Sequence, residues 1–356
     1  MSSVVFEKVV KRYGDFTALQ PLDLQIAEGE FLTLLGPSGC GKTTTLRLIA
    51  GFIMPSEGRI SLDDAEITHL APQDRNVGMV FQDYALFPHL TVAENIAFGL
   101  VERRIDKTAI AARVKELLEL IELPDVGDRF PAQISGGQQQ RIAVARAVAY
   151  APRVLLMDEP LGALDLKLRE TMQHELRQLQ QELGITAVYV THDQSEAMNM
   201  SDRIAVMNHG VLEQLGTAEQ IYDHPKTKFV AGFVGQINFL DCKVVERQGA
   251  EAVVEACGTR MRTHDSGPFA VGDAATVAVR PERIRIIATG AVDDGDNSLD
   301  GTIEAISYAG NLVHTTIRAK DGTRMTCECR PDEVGHRVGD AVTTAWSSDN
   351  SLLLGE

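Results

Sequence analysis

Up to about residue 235 the chain alternates between two spacings of apolar positions. Short unbroken apolar runs, Phe31–Leu35, Val154–Met157 and Ile185–Val190, read as strands buried on both faces, the pattern of parallel sheets. Between them the apolar residues recur three and four apart, which predicts helices. Thr44–Ala50 and Gln138–Tyr150 are two such segments. The stripes Ile110, Val114, Leu117, Leu118, Ile121 and Met172, Leu176, Leu179, Leu183 mark two more. Asp106 is placed to cap the first stripe, Thr91 and Glu94 open a further helix, and Gly184 stands where a helix would stop. Strands alternating with helices predict an α/β fold with a largely parallel sheet. From Gln236 onward helical periodicity gives way to short β-rich runs, Ala274–Val279, Ile284–Ile287, Leu312–Ile317 and Met325–Cys329. Glycine and acidic turns separate them, with Asp293–Asn297 the clearest loop. Such a run of short strands predicts a small all-β barrel.

Composition narrows the function. A chain of 356 residues fits one large and one smaller core. A net charge of −16 argues against nonspecific binding to nucleic acid or anionic lipid. No apolar run approaches the roughly 20 residues of a membrane span, and the first residues lack a secretory core, so a soluble protein on the cytoplasmic side is expected. Of five cysteines, Cys327 and Cys329 lack a nearby ligand pair for zinc, and Cys40 is expected as a modifiable thiol.

The chemistry is concentrated at two glycine-rich turns. Gly36-Pro37-Ser38-Gly39-Cys40-Gly41-Lys42-Thr43 follows one buried strand and opens onto the helix containing Thr44, the context in which backbone N–H groups and a helix N-terminus hold phosphates. Lys42 would reach the β- and γ-phosphates, and the Thr43 hydroxyl would bind Mg²⁺. Ile134-Ser135-Gly136-Gly137-Gln138 precedes another helix, and reads either as a second anion-binding turn or as an ordinary N-cap. The strand 154–157 ends in Asp158-Glu159-Pro160. An acidic residue at that end of a sheet suits Mg²⁺ for Asp158 and activation of water for Glu159. Adjacent carboxylates share a face only if the strand has stopped, as Pro160 suggests. The strand from Ile185 delivers His192 to the same edge.

In this order the motifs resemble those of the ATP-binding cassette (ABC) transporter ATPases, over about residues 4–235. The resemblance implies ATP and Mg²⁺ as ligands. Tyr13 would stack on adenine, and residues 36–43 would be the Walker A loop. Gln82 would be the glutamine that senses γ-phosphate, Mg²⁺ and the membrane partner. Ser135, Gly136, Gly137 and Gln138 match the family's signature, with Ile134 where leucine is usual. Asp158 and Glu159 match its metal-binding aspartate and catalytic base, Gly162-Ala163-Leu164-Asp165 its D-loop, and His192 its switch histidine. Metal contacts fall to Thr43, Gln82 and Asp158. The family also implies that the signature of one subunit meets ATP held by another, hence a head-to-tail dimer, with a second copy as the simpler partner. Residues of about 84–150 correspond to the helical subdomain, and Tyr84, Leu86 and Phe87 are the expected contacts with transmembrane permease subunits.

The tail, 236–356, resembles the transport-associated OB barrel of importer ATPases through Val279-Arg280-Pro281-Glu282-Arg283-Ile284. A nucleic-acid-binding barrel is disfavoured by its many carboxylates and few interleaved aromatics. The resemblance implies the ATP-hydrolysing subunit of a binding-protein-dependent importer. A soluble ABC ATPase acting on DNA or ribosomes is the alternative, and a P-loop kinase or GTPase is argued against by the second turn and His192. Gly235-Gln236-Ile237-Asn238-Phe239 most resembles the spermidine/putrescine-type ATPases, so polyamine is the expected cargo, ahead of ferric iron, sugar, sulfate or phosphonate.

Overall fold

A computed structural model describes residues 2–162, 164–249, 251–265, 269–287 and 296–355. Contacts divide the chain into two compact units, 1–218 and 219–356.

The first unit opens with a hairpin, β1 (Val4–Tyr13) and β2 (Phe16–Ile26), then β3 (Phe31–Leu35) and helix α1 (Lys42–Ala50). The chain returns through β4 (Glu57–Leu62) and β5 (Ala65–Glu66) to β6 (Val77–Val80). Helices α2 (Val92–Glu102), α3 (Lys107–Leu120) and α4 (Gly136–Val148) follow. Then come β7 (Val154–Asp158), α5 (Leu166–Leu183), β8 (Thr186–Thr191), α6 (Gln194–Met200), β9 (Arg203–Asn208) and β10 (Val211–Gly216).

Two sheets result. One is antiparallel, β2-β1-β4-β5, and the other runs β10-β9-β3-β8-β7-β6, parallel except for its β9–β10 edge. The parallel strands are apolar throughout because both faces are covered, and their alternation divides them between two cores. Leu155, Met157, Ala187 and Tyr189 pack toward the helical cluster of α2–α5. Val154, Leu156, Val188 and Val190 pack toward α1 and the antiparallel sheet. The caps follow the sequence: Thr91 and Glu94 form a capping box, Asp106 accepts from the Thr108 and Ala109 amides, and Gly184 ends α5 at φ 60°.

The antiparallel ribbon had no clean signature in the sequence. Its pairing shifts register at three places along β1, which breaks the two-residue alternation, and Pro21 interrupts β2, an edge strand that tolerates it.

The second unit contains α7 (Ala218–Asp223, beginning at the division), α8 (Lys228–Phe233), β11 (Asn238–Gln248), β12 (Glu251–Ala256), β13 (Thr259–Asp265) and β14 (Ala274–Val279). It continues through β15 (Arg285–Ile287), β16 (Asp296–Tyr308), β17 (Val313–Ala319), β18 (Arg324–Cys329), β19 (Ala341–Ser347) and β20 (Leu352–Leu354). Strands β11, β12, β13, β20 and β14 close a barrel, while β15-β19-β16-β17-β18 form a second sheet sharing its core. Of the four runs read from the sequence, Ala274–Val279 lies in the barrel and the other three in this second sheet. Of the expected loop Asp293–Asn297, residues 293–295 lie outside the described residues, and Asp296 and Asn297 begin β16.

The two short helices group with the barrel for a specific reason. The buried guanidinium of Arg280 donates to the carbonyls of Tyr222, Ala231, Val234 and Gln236, and stacks 4.0 Å from the Tyr222 ring. Tyr222 in turn donates to Glu282 at 2.7 Å. The Arg-Pro-Glu segment therefore fastens residues 222–236 to the strands, and the division falls at 218, whereas the change of sequence texture lies near 235.

Candidate functional site

Strands β3, β6, β7 and β8 run parallel, so their carboxyl ends share one edge of the sheet. This edge receives the loop 36–43 from β3, Gln82 after β6, Asp158 and Glu159 from β7 and His192 from β8. Ligands bind at this edge in open α/β sheets.

The glycine loop wraps the start of α1. Gly41 precedes the helix at φ 107°, and a β-carbon there would lie 2.9 Å from the carbonyl of Ala18, so a side chain is excluded on two counts. Pro37 is half-buried, Ser38 and Gly39 are exposed, and Thr44 is half-buried in the first turn of α1. Lys42, 5% exposed, donates through Nζ to the carbonyls of Gly36 (2.6 Å) and Pro37 (2.9 Å). Its ammonium is thus kept inside the loop that would take phosphate.

Thr43 Oγ1 donates to Asp158 Oδ1 at 3.1 Å. Asp158 continues the alternation of Val154 and Leu156, which carries it to the α1 side of the sheet. Burial pushes its carboxyl above the usual range, aided by Glu159 and opposed by Thr43, Arg47 and Lys42. A desolvated carboxylate beside a hydroxyl is a hard-oxygen donor pair that fits Mg²⁺.

Glu159 does not take the opposite face. The strand has ended, and the residue sits at φ 46°, left-handed although Pro160 follows; such strain gathers at functional sites. The turn brings Glu159 Oε2 to 3.2 Å from His192 Nδ1. His192 is exposed, while Asp193 caps α6 through the amides of Ser195 and Glu196. Beneath them Glu196, 3% exposed, accepts from Tyr189 (2.8 Å) and Thr191 (2.6 Å). Burial raises its carboxyl above the usual range. Nothing in the spacing of the sequence singled out this support.

The remaining positions sit farther from this edge or serve it differently. Tyr13 is half-exposed at the hairpin tip with Lys11 Nζ 4.8 Å from its ring centre, and the second strand of that hairpin runs past the glycine loop at Ala18. Gln82 is exposed. Ser135 and Gln138 form a capping box, Ser135 accepting from the Gln138 amide (3.4 Å) and the Gln138 side chain from the Ser135 amide (3.0 Å). Gly136 is exposed and Gly137 buried against Leu168. Asp165 caps α5, accepting from the Leu168 amide at 3.1 Å; Ala163 of the same turn lies outside the described residues.

Two expectations are corrected. Tyr84 is only 6% exposed and belongs to the helical core, so it is not a surface contact; Leu86 and Phe87 are half-buried. The segment is instead held from within. Arg146 donates to the carbonyls of Tyr84 (2.8 Å) and Ala85 (2.6 Å), both at positive φ, and Asn95 pairs with both backbone groups of Phe87. Cys40 is 3% exposed, and burial pushes its thiol up against the opposing charge of Lys42, so it is not presented as a modifiable thiol.

Comparison with known proteins identifies the family. The family profile described as ABC transporter matches residues 19–162, and that described as TOBE domain matches 277–354. The chain is 48% identical to the spermidine/putrescine import ATP-binding protein PotA of Rubrobacter xylanophilus, over 99% of this chain and 94% of the relative. It is 47% identical to that of Thermobifida fusca, over 99% and 93%. Among solved structures, a dimeric post-hydrolysis state of the ATP-binding cassette MJ0796 bound to ADP and Pi is 34% identical, covers 60% of this chain and 98% of that one, and has a TM-score of 0.54. A second dimeric structure of MJ0796, a bacterial ABC transporter cassette, gives 36% identity with the same coverage and TM-score. The chain belongs to the ABC transporter ATPases, as an ATP-binding subunit with a C-terminal TOBE domain.

Proposed function

We propose that this chain hydrolyses ATP as the motor subunit of a polyamine importer. The convergence of Lys42, Thr43, Asp158, Glu159 and His192 on one sheet edge carries the catalytic reading. In it the loop amides and Lys42 hold the β- and γ-phosphates and neutralise charge as the terminal phosphoryl group leaves. Thr43 and Asp158 would hold Mg²⁺, with Gln82 at the same sheet edge, and the ion would supply further charge neutralisation. Glu159 orients water and accepts its proton. His192, with Nδ1 committed to Glu159, has Nε2 left for the γ-phosphate, and Tyr13 lies against the adenine.

Ser135 and Gly136 are exposed at the start of α4, which supports use of this turn by the nucleotide of a second subunit. The working assembly is then a head-to-tail dimer, with Asp165 at its seam. MJ0796, whose structures are described as dimeric, supports this arrangement. Import as the direction and spermidine or putrescine as the cargo are supported by the names of relatives matched over nearly their whole length. No helix among the described residues is long and apolar enough to cross a membrane, so the path for the cargo comes from separate permease subunits. The chain works against them at the cytoplasmic face, with an extracytoplasmic binding protein delivering solute.

The test is purification of the chain from its own host in detergent, followed by ATPase assays of the recovered complex in liposomes with each solute and its binding protein. Co-purifying permeases and stimulation by spermidine or putrescine are expected. Stimulation by ferric iron, sugar, sulfate or phosphonate alone would overturn the cargo. Recovery of ribosomes or DNA in place of permeases would overturn import.

A further inference from the structure

Arg169 stands one turn into α5, four residues after Asp165, and its guanidinium spans two loops. Nη2 donates to the carbonyl of Leu164 at 3.0 Å and Nη1 to Asp193 Oδ2 at 3.1 Å. Leu164 immediately precedes Asp165, and Asp193 immediately follows His192. The second oxygen of Asp193 is already occupied by Ser195, through its amide (2.8 Å) and hydroxyl (2.7 Å), and by the Glu196 amide (3.3 Å). The Asp193 amide donates to Thr191 Oγ1 at 2.9 Å, so the loop holding His192 has little freedom except through this carboxylate. The third donor of the guanidinium, Nε, is buried without a hydrogen-bond partner, 3.9 Å from Glu196 Oε1.

The other side of the same turn faces the signature. A β-carbon at Gly137 would lie 3.4 Å from both methyls of Leu168, and one at Gly136 3.6 Å from a methyl of Leu164. The residues that flank Arg169 therefore bear on the turn Ser135–Gln138, while Arg169 itself bears on the loop of His192. A planar fork that satisfies two acceptors at once transmits displacement better than a single flexible ammonium.

We propose that Arg169 is a positioning residue of the ATPase. It ties the turn before Asp165 to the histidine loop, so that His192 is set against Glu159 only when the Leu164–Leu168 segment is seated on the signature turn. Within one subunit this links the surface offered to the partner's nucleotide with the residues that act on its own. The inference rests on the roles proposed above for Glu159, His192 and Ser135–Gln138, and concerns only how they are held in register.

The experiment compares steady-state hydrolysis and equilibrium ATP binding in the full-length chain carrying Arg169→Ala, Arg169→Lys, Asp193→Asn and Arg169→Ala with Asp193→Asn. Rates are normalised to the folded fraction from circular dichroism. Asn keeps the helix cap, and Lys keeps the charge but not the two-pronged contact. Arg169→Ala is expected to lower kcat about 100-fold, the scale of a small misplacement of catalytic groups, with the KM for ATP and ATP binding little changed. Arg169→Lys should fold as the parent does and recover only part of the loss. The double variant should be no slower than the slower single one, because both cut one link. Normal kcat per folded molecule, full rescue by lysine, or losses that multiply in the double variant would overturn the proposal. Glu159→Gln is run in parallel: if it stays slow while Arg169→Ala is normal, the positioning role alone fails, and if it turns over normally, the underlying site is wrong.

Discussion

His192 Nδ1 lies 3.2 Å from Glu159 Oε2, across the ends of two neighbouring parallel strands. The contact exists because β7 stops at Asp158 and the backbone turns left-handed at Glu159, which sends two consecutive carboxylates to different tasks. Asp158 stays with Thr43, and Glu159 is released toward solvent and the histidine. Replacing Glu159 by Gln keeps the shape and removes the proposed base. Hydrolysis should fall by about 10²–10⁴-fold, the usual worth of a positioned base. ATP binding should persist, since Lys42 and the loop amides are untouched. Single-turnover phosphate release beside a nucleotide-binding titration separates the two, and near-normal release would remove Glu159 from the mechanism.

Ser135 has a structural task inside its own chain, capping α4 through the Gln138 amide, as well as the proposed one toward a second subunit. Ser135→Ala should cost about 1 kcal/mol of stability from the lost cap. Binding of ATP by the monomer should survive, because in the proposed assembly the hydroxyl serves another chain's nucleotide. In the Glu159→Gln background, ATP-driven dimerisation measured by light scattering should weaken clearly. Loss of ATP binding in the monomer would contradict the division of roles.

The sequence carried the parts of this site that obey local rules. The strand ending in Asp158, the cap at Asp106 and the stop at Gly184 depend on residues close in the chain, and each sits where periodicity and capping chemistry place it. Contacts between distant segments left no such trace. Arg75, Arg146 and Arg280 each collect backbone carbonyls from distant segments, and Arg169 joins the Leu164 carbonyl to the distant Asp193 carboxylate; an arginine doing so looks in sequence like any surface arginine. Tyr84 departs from its sequence expectation for a related reason. It stands in a loop broken by Pro88, where exposure is the default expectation, yet two left-handed residues turn its ring into the helical core.

Arg75 is the strongest case for stability. It is 1% exposed, and its guanidinium donates to the carbonyls of Leu48 (2.6 Å), Ile49 (3.0 Å), Thr68 (3.0 Å) and Leu70 (2.9 Å). Two of these acceptors lie in the last turn of α1, so the helix that begins at the glycine loop is closed at its far end by this side chain. Arg75→Ala strands four carbonyls and opens a cavity, with an expected loss of about 3 kcal/mol or more. Lysine cannot serve four acceptors from one nitrogen and should recover little. Urea unfolding followed by far-ultraviolet circular dichroism measures the loss; a shift below about 1 kcal/mol, within the range of an ordinary hydrogen bond, would refute this account.

In the second unit Glu304 of β16 accepts from Arg318 of β17 and from Arg324 of β18, the latter at 2.8 and 2.9 Å. Hydrogen bonds from Arg324 and Arg318 lower its carboxyl from 4.5 to about 2. The folded state therefore holds the ionised form more firmly than the unfolded chain does. This contribution is complete above 4.5 and is lost as pH falls from there toward 2. The group is exposed, so the effect is small and screened by salt. Trp346 is the chain's one tryptophan and is fully buried in the core of this unit, which makes its fluorescence a local reporter. Thermal melts followed at Trp346 should show a steeper acid limb for the parent than for Glu304→Gln, with the two curves converging near pH 2 and the difference shrinking in high salt. Parallel acid limbs would mean that the three-strand ion cluster contributes nothing to the pH dependence of the barrel unit.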